Sequence, residues 1–220
     1  MEKTYSISKT FNSSVPRSRR VIECAESFGL GLDDKGFSLY DDLRITVKTG
    51  DLVYVTGQSG SGKSVLLREL AQQMSENYKI GDITEVPLED RPLVEQIGES
   101  TDDAIRLLSA AGLNDAYLFL RSPKELSDGQ LYRFRVARLM ESGCDLWVAD
   151  EFGAVLDRIT AKLVAYNLQK QARRVGATVV IATTHTDLVE ELGPDLYIEK
   201  HYQDRVKVIK GSETIEEKAA

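Results

Sequence analysis

Gly57-Gln58-Ser59-Gly60-Ser61-Gly62-Lys63-Ser64 decides how this 220-residue chain is read. The stretch fits the spacing G-x-x-x-x-G-K-[ST]. It follows the apolar run Leu52-Val53-Tyr54-Val55-Thr56, which reads as a buried strand. After it come Val65, Leu66, Leu67, Leu70 and Met74 at helical spacing. Glycines let the backbone curl so that successive N–H groups point inward at phosphate oxygens. The helix start adds partial positive charge at the same place. In such a loop Lys63 reaches the β- and γ-phosphates, the Ser64 hydroxyl ligates Mg²⁺, and Val65 opens the supporting helix. A chance Gly/Ser loop has no need of a strand before it and a helix after it, and both are here.

A second feature matches the first. Asp145-Leu146-Trp147-Val148-Ala149-Asp150-Glu151 is an apolar strand ending in two acids, with Trp147 assigned to the core. Beside a phosphate-binding loop, a carboxylate at Asp150 holds Mg²⁺, and Glu151 one residue on polarises the attacking water as a general base. Asp145–Asp150 reads as a strand, about 158–175 as a helix and Thr178–Thr183 as another strand. That order predicts an α/β fold with parallel pairing and a ligand site at the C-terminal ends of the strands. Between about 88 and 142 the character changes to a short helical insert. Pro87 and Pro92 bracket a polar turn, Thr101-Asp102-Asp103 starts a helix through Ala111, and Arg121-Ser122-Pro123 breaks it before a second helix over Asp128–Glu141.

Leu126-Ser127-Asp128-Gly129-Gln130 starts that second helix, 15 residues ahead of the acidic strand by the two segment positions. On its own it is an ordinary helix cap. With the helix Leu131–Arg138 it resembles the signature motif of ATP-binding-cassette (ABC) ATPases, usually LSGGQ. Ala154-Val155-Leu156-Asp157 is similar to the D-loop of that family, and His185 sits at a strand end like its switch histidine. The resemblance spans about residues 21–210 and extends to ABC-type ATPase domains linked to acetyltransferase-like domains in archaea.

It implies a P-loop NTPase fold of the ABC type, with an N-terminal β subdomain, a parallel-sheet core and the helical insert over residues 21–220. It also implies ATP hydrolysis with Mg²⁺, with Lys63, Glu151 and His185 as catalytic groups. Two copies would meet head to tail in an ATP-dependent homodimer. Gly57–Ser64 of one copy would then face Ser127, Gly129 and Gln130 of the other, with Asp157 nearby.

The sequence departs from the family in two places. Val86-Pro87-Leu88-Glu89 puts Leu88 where the Q-loop glutamine belongs, so either Gln96 substitutes or that link is altered. The aromatic that stacks on adenine is read as Phe28, with Tyr40 second; a core role for Phe28 stays open. Asp128 replaces a signature glycine, and a carboxylate near phosphate is mildly unfavourable.

Net charge is −7 and the pI near 5.0, which argues against a dedicated nucleic-acid surface. Residues 1–20 nonetheless carry Lys3, Lys9, Arg17, Arg19 and Arg20 against Glu2. They read as a flexible basic arm, either merely solvated or touching nucleic acid or an acidic partner. The lone thiols Cys24 and Cys144 fit a reducing cytoplasm. No apolar run approaches the roughly 18 residues of a membrane-spanning helix, and the N-terminus lacks a secretory h-region.

The expected function is therefore a cytoplasmic ATPase whose dimerisation acts on a protein or nucleic-acid partner. The alternatives are the ATPase subunit of a transporter with separate membrane chains, or a nucleotide-gated switch with little hydrolysis.

Overall fold

The computed structural model describes residues 1–33, 35–201, 205–210 and 213–218. The chain opens with strand β1 (Glu2–Ser13), helix α1 (Arg19–Ser27) and strand β2 (Lys35–Lys48). Strand β3 (Leu52–Gly57), helix α2 (Lys63–Met74) and the short strand β4 (Ile80–Asp82) follow. Next come a 3-10 turn at Leu93–Glu95, helices α3 (Thr101–Ala110) and α4 (Ala116–Phe119), and a 3-10 turn at Pro123–Glu125. Helix α5 (Asp128–Glu141), strand β5 (Leu146–Ala149), helix α6 (Arg158–Val175) and strand β6 (Thr178–Thr183) come after them. The chain then runs through helix α7 (Val189–Leu192) and strands β7 (Leu196–Lys200), β8 (Arg205–Lys210) and β9 (Glu213–Lys218).

Seven strands form one sheet in the order β4-β5-β6-β3-β7-β8-β9. Pairing is parallel from β4 to β7 and antiparallel for β8 and β9. Every residue of β5 and β6 is buried, as are Leu52–Thr56 of β3, because layers cover both faces of the sheet. The period-2 alternation of a strand divides those residues between the layers. Leu52 and Tyr54 of β3, with Trp147, Val179 and Ile181, pack against α3, α5 and α6. Val53 and Val55, with Val148, Val180 and Ala182, pack against α2 and the β1–β2 hairpin. Each fully buried aliphatic side chain contributes about 1.5–3 kcal/mol relative to exposure.

The helix ends follow local chemistry. Ser100 caps α3 by accepting from Asp103 N, and Asp157 caps α6, which ends at Gly176 in the left-handed region with Arg173 and Arg174 in its last turn.

Within the stretch expected as a flexible arm, Glu2–Ser13 forms strand β1 and α1 begins at Arg19. β1 pairs antiparallel with β2 from Glu2↔Lys48 onward, and Tyr5 and Ile7 are buried under the hairpin. Three of the five basic residues in this stretch face acids on the same chain: Lys3 faces Glu76, Lys9 faces Glu69, and Arg19 faces Glu23. Apolar alternation, Tyr5 then Ile7, wins over a polar composition. Of residues 21–55, whose pattern suggests short β-like runs alternating with turns, the first part lies in α1 and the rest forms β2 and the start of β3.

Candidate functional site

The parallel order β5-β6-β3 brings three loops to the C-terminal edge of the sheet. The Gly57–Ser64 loop leaves β3, Asp150 and Glu151 leave β5, and His185 follows β6. The loop is built for glycine. Gly57 has φ +146°, and a Cβ there would stand 2.1 Å from Lys200 O. Gly62 has φ +103°, and a Cβ there would press the Leu39 methyls at 2.8 and 3.0 Å. Gly62 also starts α2 with no side-chain cap, so the first-turn N–H groups are left to the loop.

Ser61 Oγ is buried with no hydrogen-bond partner among the described residues, and a buried hydroxyl in that state calls for a polar ligand. Lys63 is only 8% exposed and donates to Gln58 O at 2.8 Å. Burial pulls its pKa down, while Asp150 and Glu151 push it back up. An orphaned hydroxyl and a buried ammonium beside a helix start together fit a polyphosphate.

Ser64 Oγ donates to Asp150 Oδ1 at 3.0 Å, and the same oxygen accepts from Glu151 N at 3.0 Å. Among the described residues no three His, Cys, Asp or Glu side chains are grouped to hold a metal. A cation beside Ser64 and Asp150 must therefore complete its shell with phosphate and water oxygens, as Mg²⁺ does.

Glu151 is exposed and sits at φ +50°, a left-handed conformation costing a side-chain-bearing residue roughly 1–2 kcal/mol. His185 holds its backbone through Thr183 Oγ1 at 3.2 Å, and its carbonyl accepts from the Tyr54 hydroxyl. Its Nδ1 lies 4.0 Å from Asp187 Oδ1.

Ser127–Gln130 opens α5. Ser127 and Gln130 form a reciprocal capping box: Ser127 N donates to Gln130 Oε1 at 3.0 Å, and Gln130 N to Ser127 Oγ at 3.4 Å. Among the described residues no hydrogen bond links this segment to the Gly57–Ser64 loop. Ser127 and Asp128 are exposed, and a Cβ at Gly129 would come 3.3 Å from Val155 O. Asp157 spends its carboxylate on capping α6, accepting from Ile159 N, Thr160 N and Thr160 Oγ1.

Two alternatives left open by the sequence are closed. Gln96 is buried, and its amide is consumed by Glu89 N, Glu89 O and Arg91 O, so it braces its own loop and does not replace the Q-loop glutamine. Leu88 packs on the core, so that link is altered. Tyr40 is 1% exposed with its hydroxyl on Gly62 O at 3.1 Å, which leaves no face for a base. Phe28 is 75% exposed at the end of α1.

Sequence reasoning passed over a different pair. Phe11 and Phe37 are directly opposed on β1 and β2, half-exposed, and Phe37 is two residues from the Leu39 that touches Gly62. It also passed over Tyr132, whose hydroxyl accepts from Gly153 N at 3.0 Å. A cavity of about 160 Å³ lies here, lined among others by Tyr132, Arg135, Asp150 and Glu151.

No family model matches the sequence. The chain is 32% identical over 164 residues to the cytochrome c biogenesis ATP-binding export protein CcmA of Gluconobacter oxydans, covering 67% of this chain and 74% of that protein. It is 28% identical to the probable syringafactin export ATP-binding/permease protein SyfD of Pseudomonas syringae pv. syringae, and spans only 28% of its length. The dimeric, post-hydrolysis structure of the ATP-binding cassette MJ0796 bound to ADP and Pi superimposes with a TM-score of 0.63 at 18% identity, covering 96% of this chain and 98% of that one. That last likeness supports the fold, which is the P-loop α/β fold expected from the sequence. No helix among the described residues is long and apolar enough to cross a membrane. With the loop, the acidic strand end and the capped Ser127–Gln130 helix in these positions and a relative of this likeness, the chain belongs to the ATP-binding-cassette ATPases.

Proposed function

We propose that this chain is the ATP-hydrolysing subunit of a transporter whose membrane-spanning parts are separate chains, working in the cytoplasm as a head-to-tail homodimer. The observation that carries the hydrolytic part is the Ser64–Asp150 hydrogen bond with Glu151 next to it. The transport part rests on relatives whose names are export ATP-binding proteins, of which this chain spans 28% and 74% of the length. The reading in which dimerisation serves a nucleic-acid partner loses its main support, because Lys3, Lys9 and Arg19 of the supposed arm face acids of this chain.

In this function the amides of Gly57–Ser64 and of the α2 start bind the phosphates, Val65 follows them into the helix, and Lys63 neutralises their charge. Ser64 and Asp150 hold Mg²⁺, which when bound balances phosphate charge. A Glu151 Oε atom takes the proton of the attacking water, and His185, at the next strand end, senses the γ-phosphate. Ser127, Gly129 and Gln130 of one copy close the loop of the other, with Asp157 fixing the segment between them.

The test compares wild type with Glu151→Gln. Phosphate release is expected to fall to background in the variant while ATP binding persists, and the ATP-bound variant is expected to elute as a dimer. Purified from detergent extracts in ATP and Mg²⁺, it is expected to bring down a chain with several spanning helices. Equal near-zero release by both proteins retires the hydrolytic reading in favour of a switch. Recovery of the dimer without a membrane chain retires transport.

A further inference from the structure

We propose that Tyr132 is a positioning residue for Glu151, tying the helix that begins at Ser127–Gln130 to the acidic turn of the same chain; this rests on the role of Glu151 proposed above. Tyr132 lies in the second turn of α5. Its hydroxyl accepts from Gly153 N at 3.0 Å, and its ring meets Phe152 edge-on, centroids 6.1 Å apart at 68°. Burial raises the phenol pKa, so the group stays a neutral hydroxyl.

On its other side the turn is held by the sheet. Phe152 N donates to Ala182 O at 3.0 Å, and Thr183 Oγ1 to Phe152 O at 2.9 Å. Phe152 is thus fixed to β6 and Gly153 to α5, and the residue before them, Glu151, is the one held at φ +50°. A non-glycine residue keeps such a conformation only where its surroundings over-determine it.

The start of α5 touches the same turn again at Gly129, where a Cβ would stand 3.3 Å from Val155 O. The 160 Å³ cavity beside Tyr132 and Glu151 gives the turn room to relax once the hydroxyl is gone. Tyr132 therefore sets where the Glu151 carboxylate points, and a displacement of the Ser127–Gln130 end is passed to it through one helical turn.

Tyr132→Phe removes only the hydroxyl and keeps the ring packing, so it is the variant of choice. Hydrogen exchange of the Gly153 amide in nucleotide-free protein is expected to speed up about five-fold or more, the size of one lost hydrogen bond. In ATP hydrolysis kcat is expected to fall about five- to ten-fold with KM within about two-fold, the signature of a misplaced group and not of lost binding. Leu168→Ala, a core change on α6, serves as a control and is expected to lower the melting temperature without changing kcat or KM below its transition.

Unchanged Gly153 exchange overturns the proposal whatever the activity. So does a kcat loss that Leu168→Ala reproduces. Glu151→Gln run alongside separates the two ideas. Hydrolysis persisting there at the wild-type rate removes the role of Glu151 itself. Hydrolysis lost there but wild-type in Tyr132→Phe removes only Tyr132.

Discussion

Ser64 Oγ donates to Asp150 Oδ1 at 3.0 Å although the strands that deliver them, β3 and β5, are not neighbours: β6 runs between them. The contact spans the crest of the sheet, where the loop after β3 leans over β6 toward the end of β5. The hydroxyl and the carboxylate satisfy each other, and in the function proposed above they would be the two protein ligands of Mg²⁺.

Ser64→Ala should therefore weaken ATP binding in Mg²⁺ by about ten-fold, the order expected from losing one hydrogen bond or ligand to a charged group. Binding in excess chelator should change by about two-fold or less. Calorimetric titrations with and without Mg²⁺ check this. An equal loss in both conditions would show that Ser64 contacts phosphate alone.

Gly57 and Gly60 both have positive φ, +146° and +75°, but only one is crowded. A Cβ at Gly57 meets Lys200 O at 2.1 Å, whereas at Gly60 nothing lies within 4 Å. Gly60→Ala should cost roughly 1 kcal/mol, the left-handed penalty alone. Gly57→Ala must also push β7 away from β3 and should cost roughly 3 kcal/mol or more, in the range of strained core changes. Urea denaturation of the two variants measures both, and similar midpoints would contradict the crowding at Lys200.

Much of this was legible because it is local. The strand–loop–helix around Gly57–Ser64, the strand Thr178–Thr183 and the helix 158–175 follow from periodicity and from glycines at fixed spacing, and they stand where expected. β1 was missed because only Tyr5 and Ile7 mark its buried face among Ser, Thr and Lys, and its partner lies more than thirty residues away at Leu43–Ile45. The roles of Gln96 and Tyr132 were invisible for another reason. Neither hydrogen-bond partner, the 89–91 backbone or Gly153 N, carries a side-chain signal. Tyr40 looked like a stacking ring because sequence does not show which face of β2 is buried.

The platform for the adenine is open to a direct choice between two sites. Phe28 offers a freely exposed ring at the end of α1. Phe11 and Phe37 offer two half-exposed rings in register, on a hairpin anchored to the phosphate loop by Tyr40 and Leu39. Two residues of strand span about 7 Å, which is the separation along β2 of Phe37 from the Leu39 that faces Gly62. A base stacked on an aromatic side chain contributes about 1–3 kcal/mol. Phe11→Ala should accordingly weaken ATP binding by about five- to a hundred-fold, while binding of inorganic triphosphate, which has no base, should stay within about two-fold. Phe28→Ala should leave both unchanged. Fluorescence titration with the two ligands checks the pair of variants. If Phe28→Ala lost ATP and kept triphosphate while Phe11→Ala kept both, the base would lie on α1, and the hairpin rings would be free for another contact.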